Sequence, residues 1–409
     1  MRLLFLTPQL PYPPRQGTAL RNWGLISHLA TRHEVWLLSF DERPANAGHE
    51  LPEPLRRSCQ HVVTVPIPQR APADRLRTLA TSQLPDMAWR LWSPAFAQAL
   101  SDYLREHRFD VLQVEGIELA RYMPGAARSP HRARYVFDEH NAEYLLQKRT
   151  FQADARNPRR WHGAAYSFVQ WQRLRAFERR ALLAADAVLC VSSEDANALR
   201  RLAPTIQPHV IHNGIDVADY AAFSAPISDS RFPTVVFTGK MDFRPNVDAV
   251  LWFAQRVWPT VKQAHPRARW LIVGQKPSPR LEPLRADPDI ALTGQVDDVR
   301  PYIAQADVYI APLLAGGGTR FKLLEAMAMR RAIVSTSLGC EGFLVTSGRE
   351  VIIADRPHEF AGAVIELLRS ETHRAALGES AYRFVSATYD WRVIVPRLEE
   401  VYEGMGARS

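Results

Sequence analysis

Residues 307–329 read DVYIAPLLAGGGTRFKLLEAMAM. The run from Val308 to Leu313 is apolar and of strand length, while Phe321, Leu323, Leu324, Met327 and Ala328 recur at helical spacing. The glycines and cations between them therefore occupy a strand-to-helix turn. In an open α/β sheet such a turn lies at the carboxyl end of a parallel strand, where ligands bind. Gly316, Gly317 and Gly318 let a ligand approach bare backbone. Thr319 follows them, and the free amides and dipole of the next helix favour an anion. Arg320 and Lys322 add full positive charges, so a phosphate or diphosphate is the natural occupant. Glu325, two turns past Gly318, can accept two hydroxyls of a ribose or hexose. A tight turn leading into a solvated helix is the competing reading.

Working outward, the same alternation fills the chain. RLLFL at 2–6 and EVWLLSF at 34–40 flank an amphipathic stretch at 18–31, the strand–helix–strand spacing of a parallel sheet. Further strands are expected at HVVTVPI, VLQVEG, RYVFDEH, AVLCVSS and HVIHNG, with a long helix over about 160–184. VADYAAFSAPISDSRFP then reads as a linker. A second series follows: TVVFTGK, a helix at 246–263, RWLIVGQ, IALTGQV, DVYIAPL, the helix after 318, AIVSTS, VIIAD and a helix at 357–369. The spacing predicts two doubly wound α/β halves whose facing strand ends make a cleft. The expected division is 1–212, a linker at 213–232, 233–388, and a last helix over 389–409 that crosses back to the first half.

A second cationic turn lies in TVVFTGKMDFRPN, where the strand runs into Gly239 and Lys240 and Arg244 precedes a helix-starting Pro245. Only five lysines stand against 46 arginines, and two of the five, Lys240 and Lys322, fall in these two turns. No GxxxxGK[ST] is present, and the first turn, TPQLPYPPRQGTALRN, lacks GxGxxG, which argues against a nucleotide-binding P-loop and a dinucleotide dehydrogenase.

The 409 residues suit two domains. Apolar runs break well short of the ~20 residues a spanning helix needs. MRLLFL reads as a buried strand rather than a signal peptide. Cys59, Cys190 and Cys340 are too few and too far apart for a disulfide framework or a metal spacing, which fits a reducing cytoplasm. The net charge of +8 belongs wholly to residues 1–210, with 28 Lys and Arg against 20 Asp and Glu; residues 211–409 balance at 23 each. Within the first half, 156–180 mixes seven arginines and a histidine with Trp161, Tyr166, Phe168, Trp171 and Phe177. That mixture suits an anionic membrane face, or an amphipathic helix with an aromatic core side. No nucleic-acid recognition motif accompanies it.

Taken together, PYPPRQGTALRN, FDEHNAEY, ADAVLCVSSEDANAL, VIHNGID, FTGKMDFRPNVDAV, LTGQVDDVRPYIAQADVYIAPLLAGGGTRFKLLEAMAM and YDW resemble, in order, the retaining nucleotide-sugar glycosyltransferases of family 4 with the GT-B fold. The resemblance implies a nucleoside-diphosphate sugar donor gripped by Lys240 with Arg320 or Lys322, with Arg244 beside them. It implies a nucleoside turn at Gly294–Val296, a ribose acid at Glu325, a histidine near the reacting sugar at His140, and a loop near the phosphates at Gly17. Two departures stand out. The family's first glutamate would fall at Gly317, where backbone amides of Gly316, Gly317, Gly318 and Thr319 would have to substitute. Its Gly-Arg is Gly-Lys at 239–240, which keeps the charge but not the fork of donors.

The implied chemistry is transfer of a sugar to a hydroxyl with retention, catalysed by His140, Lys240, Arg320 and Lys322, without metal or cofactor. A carbohydrate or lipid-linked acceptor is expected, in bacterial surface polysaccharide or glycolipid synthesis. The expected place is the cytoplasm or the inner face of the plasma membrane. Rivals are a non-catalytic binding protein of the same fold, a sugar-nucleotide epimerase and a phosphorylase.

Overall fold

A computed structural model describes residues 1–14, 17–43, 50–123, 133–155, 161–223, 232–315 and 320–406. They form two compact units, Met1–His212 with Ile394–Ser409, and Asn213–Val393. In the first unit the strands are β1 (Arg2–Thr7), β2 (Glu34–Asp41), β3 (His61–Pro66), β4 (Val111–Glu115), β5 (Arg134–Glu139), β6 (Ala187–Cys190) and β7 (His209–Val210). They are parallel, in the order β3-β2-β1-β4-β5-β6-β7. β1 is apolar without alternation because both faces are covered. Leu4 and Leu6 join one core cluster, while Leu3 and Phe5 are buried outside it.

The second unit repeats the plan with β8 (Thr234–Thr238), β9 (Arg269–Val273), β10 (Ile290–Leu292), β11 (Val308–Ala311), β12 (Ala332–Ser335) and β13 (Ile352–Ile353). Their order is β10-β9-β8-β11-β12-β13, again parallel. In each unit the winding reverses once, between β1 and β4 and between β8 and β11. Loops diverge there at the carboxyl ends and leave room for a ligand. The Trp391–Gly406 helix buries Ile394, Leu398 and Tyr402 at i, i+4 and i+8, and its Glu399 accepts from Arg32 (2.7 Å) and His33 (2.8 Å) of the first unit. Among the described residues no helix is long and apolar enough to cross a membrane.

Two expectations need correction, and a third holds. The single helix over 246–263 is two, Arg244–Arg256 and Trp258–Ala264, broken at Val257 because Pro259 restarts the chain with no N–H to donate. The stretch read as linker is partly built into the second unit. Ile215 bridges Asp390, and Val217–Ala221 is a short helix. The helix expected after 318 is present as Phe321–Ala328, with Arg320 at its cap.

Candidate functional site

In the second unit the turns after β8, β9 and β11 converge. Gly239 donates its N–H to the Val273 carbonyl at 2.9 Å, and Gly274 lies so close that a Cβ on it would stand 1.7 Å from the Gly239 oxygen. Over this backbone sits Lys322, one residue into the Phe321–Ala328 helix. Its Nζ donates to Asn246 Oδ1 at 2.9 Å and lies 4.3 Å from the centre of the Phe237 ring. Asn246 Nδ2 in turn donates to the Lys240 carbonyl at 2.9 Å. A Cβ at Gly239 would meet both the Lys322 amine and the Asn246 amide at 2.8 Å, so glycine keeps the floor of this pocket open.

Burial, and then the Arg320 charge, lower the Lys322 amine from its ordinary 10.5 to about 7, against the pull of Glu325. One turn on, burial raises the Glu325 carboxyl to about 7, although Tyr220 donates to Oε1 at 3.1 Å and Lys322 attracts it. Burial also lowers the Arg320 guanidinium, which Glu341 partly offsets. Lys322 and Arg320, both half-buried, thus sit close together with Glu325 and Glu341 as the acids that act on them, and burial works against the charge on each cation.

The other residues expected in this site are placed as follows. Lys240 and Arg244 extend into solvent, their charged groups beside Asp242 at 3.8 Å and Asp248 at 3.4 Å, so only the Lys240 carbonyl joins the Lys322 cluster. Gly294 has φ +73°, the left-handed conformation natural to glycine, and Val296 is half-buried against the core. Gly316, Gly317, Gly318 and Thr319 lie outside the described residues.

In the first unit, Gly17 is exposed at the start of the Gly17–Leu29 helix, and His140 follows β5. The His140 side chain is 17% exposed, and its Nε2 bonds Glu115 Oε2 of β4 at 2.9 Å. Burial acts to lower the imidazole, but the Glu115 bond and the Asp138 charge outweigh it and raise it overall. Asp138, two residues before His140, is paired with fully buried Arg21, which donates to Oδ2 from Nε (2.9 Å) and Nη2 (2.7 Å) and also reaches the carbonyls of Ile211 and His212. Burial pushes the Glu139 carboxyl well above the usual range, with Glu178 first among the acids it faces, and neither oxygen has a hydrogen-bond partner among the described residues. Ring orientation therefore comes from Glu115 on the neighbouring strand.

Glu115, Asp138 and His140 put one ligand-type atom each within 4.8 Å of one another, a spacing that a metal ion could bridge. Arg21 and the imidazole already supply positive charge to the two carboxylates.

Asn246, Tyr220, Glu115 and Arg21 are not singled out by the sequence reading. The only signal for Glu115 was a polar alternation, Gln113 and Glu115, inside the apolar run VLQVEG.

With this geometry in hand, the comparisons with known proteins are specific. The model of glycosyltransferase family 4 matches residues 16–219, and that of glycosyl transferases group 1 matches 232–370. The chain belongs to this glycosyltransferase family, with the GT-B fold. A phosphatidyl-myo-inositol mannosyltransferase of Mycolicibacterium smegmatis is 33% identical over 203 residues, covering 47% of this chain and 51% of that one. A second, from Propionibacterium freudenreichii, is 30% identical and covers 54% and 57%. The chain thus spans about half the length of the curated relatives it matches. Among solved structures, a sucrose-phosphate synthase from Thermosynechococcus elongatus superposes over 100% of both chains with a TM-score of 0.71 at 17% identity, a likeness of fold alone.

Proposed function

We propose that this protein transfers a sugar from a nucleoside diphosphate to an acceptor hydroxyl with retention of configuration. The observation that carries the reading is the half-buried Lys322 amine over the Gly239 backbone at the β8/β11 reversal, with Glu325 one turn away. The sugar C1–oxygen bond to the diphosphate breaks as negative charge grows on the phosphate. Lys322 and Arg320 stabilise that charge more than they stabilise the ground state. The leaving phosphate oxygen takes the acceptor proton, and the new C1–oxygen bond forms on the same face. The positive charge in this reading comes from these side chains, with Lys240 and Arg244 in reach of the entrance, rather than from a metal or cofactor. His140, whose imidazole is raised by the Glu115 bond and the Asp138 charge against burial, serves as a hydrogen-bond donor to sugar or phosphate and not as a base. Glu325 accepts the ribose hydroxyls, and the Gly294–Val296 turn faces the base.

Thermal unfolding against UDP, GDP, ADP and their common sugars tests this, because a ligand of the native state raises the midpoint by mass action. A shift for one base that disappears in Lys322→Ala supports the site. A shift that persists in the variant removes Lys322 from it. Gly317, in place of the family's acid, favours one second reading, a non-catalytic binder. Transfer or hydrolysis of the bound donor sinks that alternative.

The acceptor in this reading is carbohydrate or lipid-linked and lies at a membrane surface, as the relatives' name, phosphatidyl-myo-inositol mannosyltransferase, leads us to infer. On the Trp161–Ala184 helix, Trp161 (65%), Tyr166 and Phe168 are exposed, and Arg175, Arg179 and Arg180 are exposed further along. Trp171 and Phe177 of the same stretch pack inward. Exposed aromatics followed by arginines suit an anionic bilayer. Sedimentation with anionic but not zwitterionic vesicles, lost in a Trp161→Ala, Phe168→Ala variant, is the expected result.

A further inference from the structure

The His140 imidazole is the end of a buried chain of hydrogen bonds that starts on the carboxyl-terminal helix. Glu115 Oε2 receives the imidazole, and Glu115 Oε1 accepts from Gln113 Nε2 at 2.6 Å. Gln113 and Glu115 are two apart on β4 and so share a face of the sheet. The Gln113 carbonyl oxygen accepts from the phenol of Tyr402. Gln113 and Glu115 are fully buried and Tyr402 is 3% exposed. In this arrangement Gln113 turns its amide N–H to Glu115 and its carbonyl to the Tyr402 hydroxyl, which donates to it.

We propose that Tyr402, Gln113 and Glu115 form a positioning relay that fixes the orientation and the charge of His140, leaving its Nδ1–H as the donor to the bound sugar or phosphate. The relay rests on the reading of His140 as a residue of the reaction site. Tyr402 belongs to the last helix, whose residues from Ile394 on join the first unit. The first unit is therefore incomplete as a site until the chain has passed through the second unit and returned. The consequence is economical in atoms: one phenol oxygen far along the sequence sets the hydrogen-bonding state of the ring. Other charged groups also bear on the ring: Asp138 on β5, Arg21 on the Gly17–Leu29 helix and, at the start of the next helix, Glu143. Among the hydrogen bonds of the described residues, Gln113 links Glu115 to Tyr402.

The test follows the ring itself. In full-length protein with isotope-labelled histidine, the His140 signals are assigned by their loss in His140→Ala and titrated from acid to alkaline pH. Glu115→Gln is expected to lower the His140 midpoint by roughly one pH unit or more, since it removes the charge partner. Tyr402→Phe is expected to lower it by a smaller, measurable amount. In transfer assays both variants should lose kcat, roughly tenfold or more for Glu115→Gln, with the donor KM little changed. Tyr402→Phe removes one oxygen and keeps the ring, so it decides the matter even where Glu115→Gln folds poorly. A Tyr402→Phe protein with an unchanged unfolding midpoint and an unchanged His140 titration overturns the relay. A shifted titration with unchanged turnover upholds the relay and overturns the assignment of His140 to the reaction.

Discussion

The two units share one winding plan, and each buries a cation beside an acid at the carboxyl ends of its strands, yet they treat that cation oppositely. In the second unit Lys322 is brought down to about 7 by burial and by Arg320, and Glu325 offsets this only in part. In the first unit burial acts on His140 in the same sense, but the bond to Glu115 and the charge of Asp138 reverse the outcome. One unit satisfies its cation from within. In the other, burial and the Arg320 charge work against the charge on the amine, and the proposed diphosphate would supply the partner. The fold sets where a ligand lies, and the balance of buried charge sets which sign it carries.

The largest expected effect comes from removing the amine side of this contrast. Lys322→Ala should lower kcat/KM for transfer about 100- to 1,000-fold, the scale of a lost preorganised donor at a developing oxyanion. Lys322→Arg should recover little, because the amine is fitted between Phe237 and Asn246. Steady-state kinetics with the nucleotide found by thermal unfolding measure both, and a loss under tenfold for the alanine variant would falsify the role given to Lys322. Next comes Gly274→Ala. Its methyl would have to share space with the Gly239 carbonyl, at φ +157°. The strain, roughly 1–3 kcal/mol, should lower the unfolding midpoint of the second unit and abolish the nucleotide shift. The histidine titration of the first unit should not move, and if it does, the two sites are not independent.

The pH dependence sharpens the contrast further. Between about 7 and the ordinary 10.5, the unfolded chain keeps a proton on Lys322 that the folded chain has released, so stability rises with pH there. Between the ordinary 4.5 and about 7, folded Glu325 holds a proton that the unfolded chain has lost, so stability falls as pH rises. These two groups together leave the second unit least stable near pH 7. A diphosphate binds the protonated amine, so its affinity should fall above pH 7, by at most about tenfold per pH unit. Calorimetry in two buffers of different ionisation enthalpy should show proton uptake on binding. An affinity flat from pH 7 to 9 would mean that the amine is already charged in the free protein.

How much of this was legible in the sequence follows from which interactions are local. The strand–turn–helix runs announce both sheets because apolar period and glycine punctuation act within about 20 residues. The pairing of Lys322 with the turn after β8 required only strand adjacency. The direction of the Arg244 and Lys240 side chains was not legible, since nearness along a loop does not fix which way a long side chain points. Each takes a nearby aspartate and faces water. Glu115 and Tyr402 were invisible because their partners lie 25 and 289 positions away. Nothing in a single strand or helix records that neighbour. Tyr220 was hidden differently, in a stretch whose prolines and serines read as linker.

Tyr220 gives the smallest and most discriminating effect, because each unit holds its acid with a tyrosine drawn from outside its regular βαβ frame. In the first unit the hydroxyl of Tyr402 reaches Glu115 through Gln113. In the second the hydroxyl of Tyr220, from the short Val217–Ala221 helix, bonds Glu325 directly. Tyr220→Phe removes a donor to the Glu325 carboxylate, so the carboxyl should titrate still higher than about 7. More of it is then protonated at neutral pH, and the grip on two ribose hydroxyls weakens. The expected loss is about 0.5–1.5 kcal/mol of nucleotide binding, roughly two- to tenfold in Kd. It should be greatest below pH 7 and shrink toward pH 9, as Glu325 ionises without help. The matching loss for a 2′-deoxynucleoside diphosphate should be smaller, since one of the two hydroxyls is already missing. Equal losses for both ligands would mean that Tyr220 supports the helix rather than the acid, and the parallel with Tyr402 would then end at geometry.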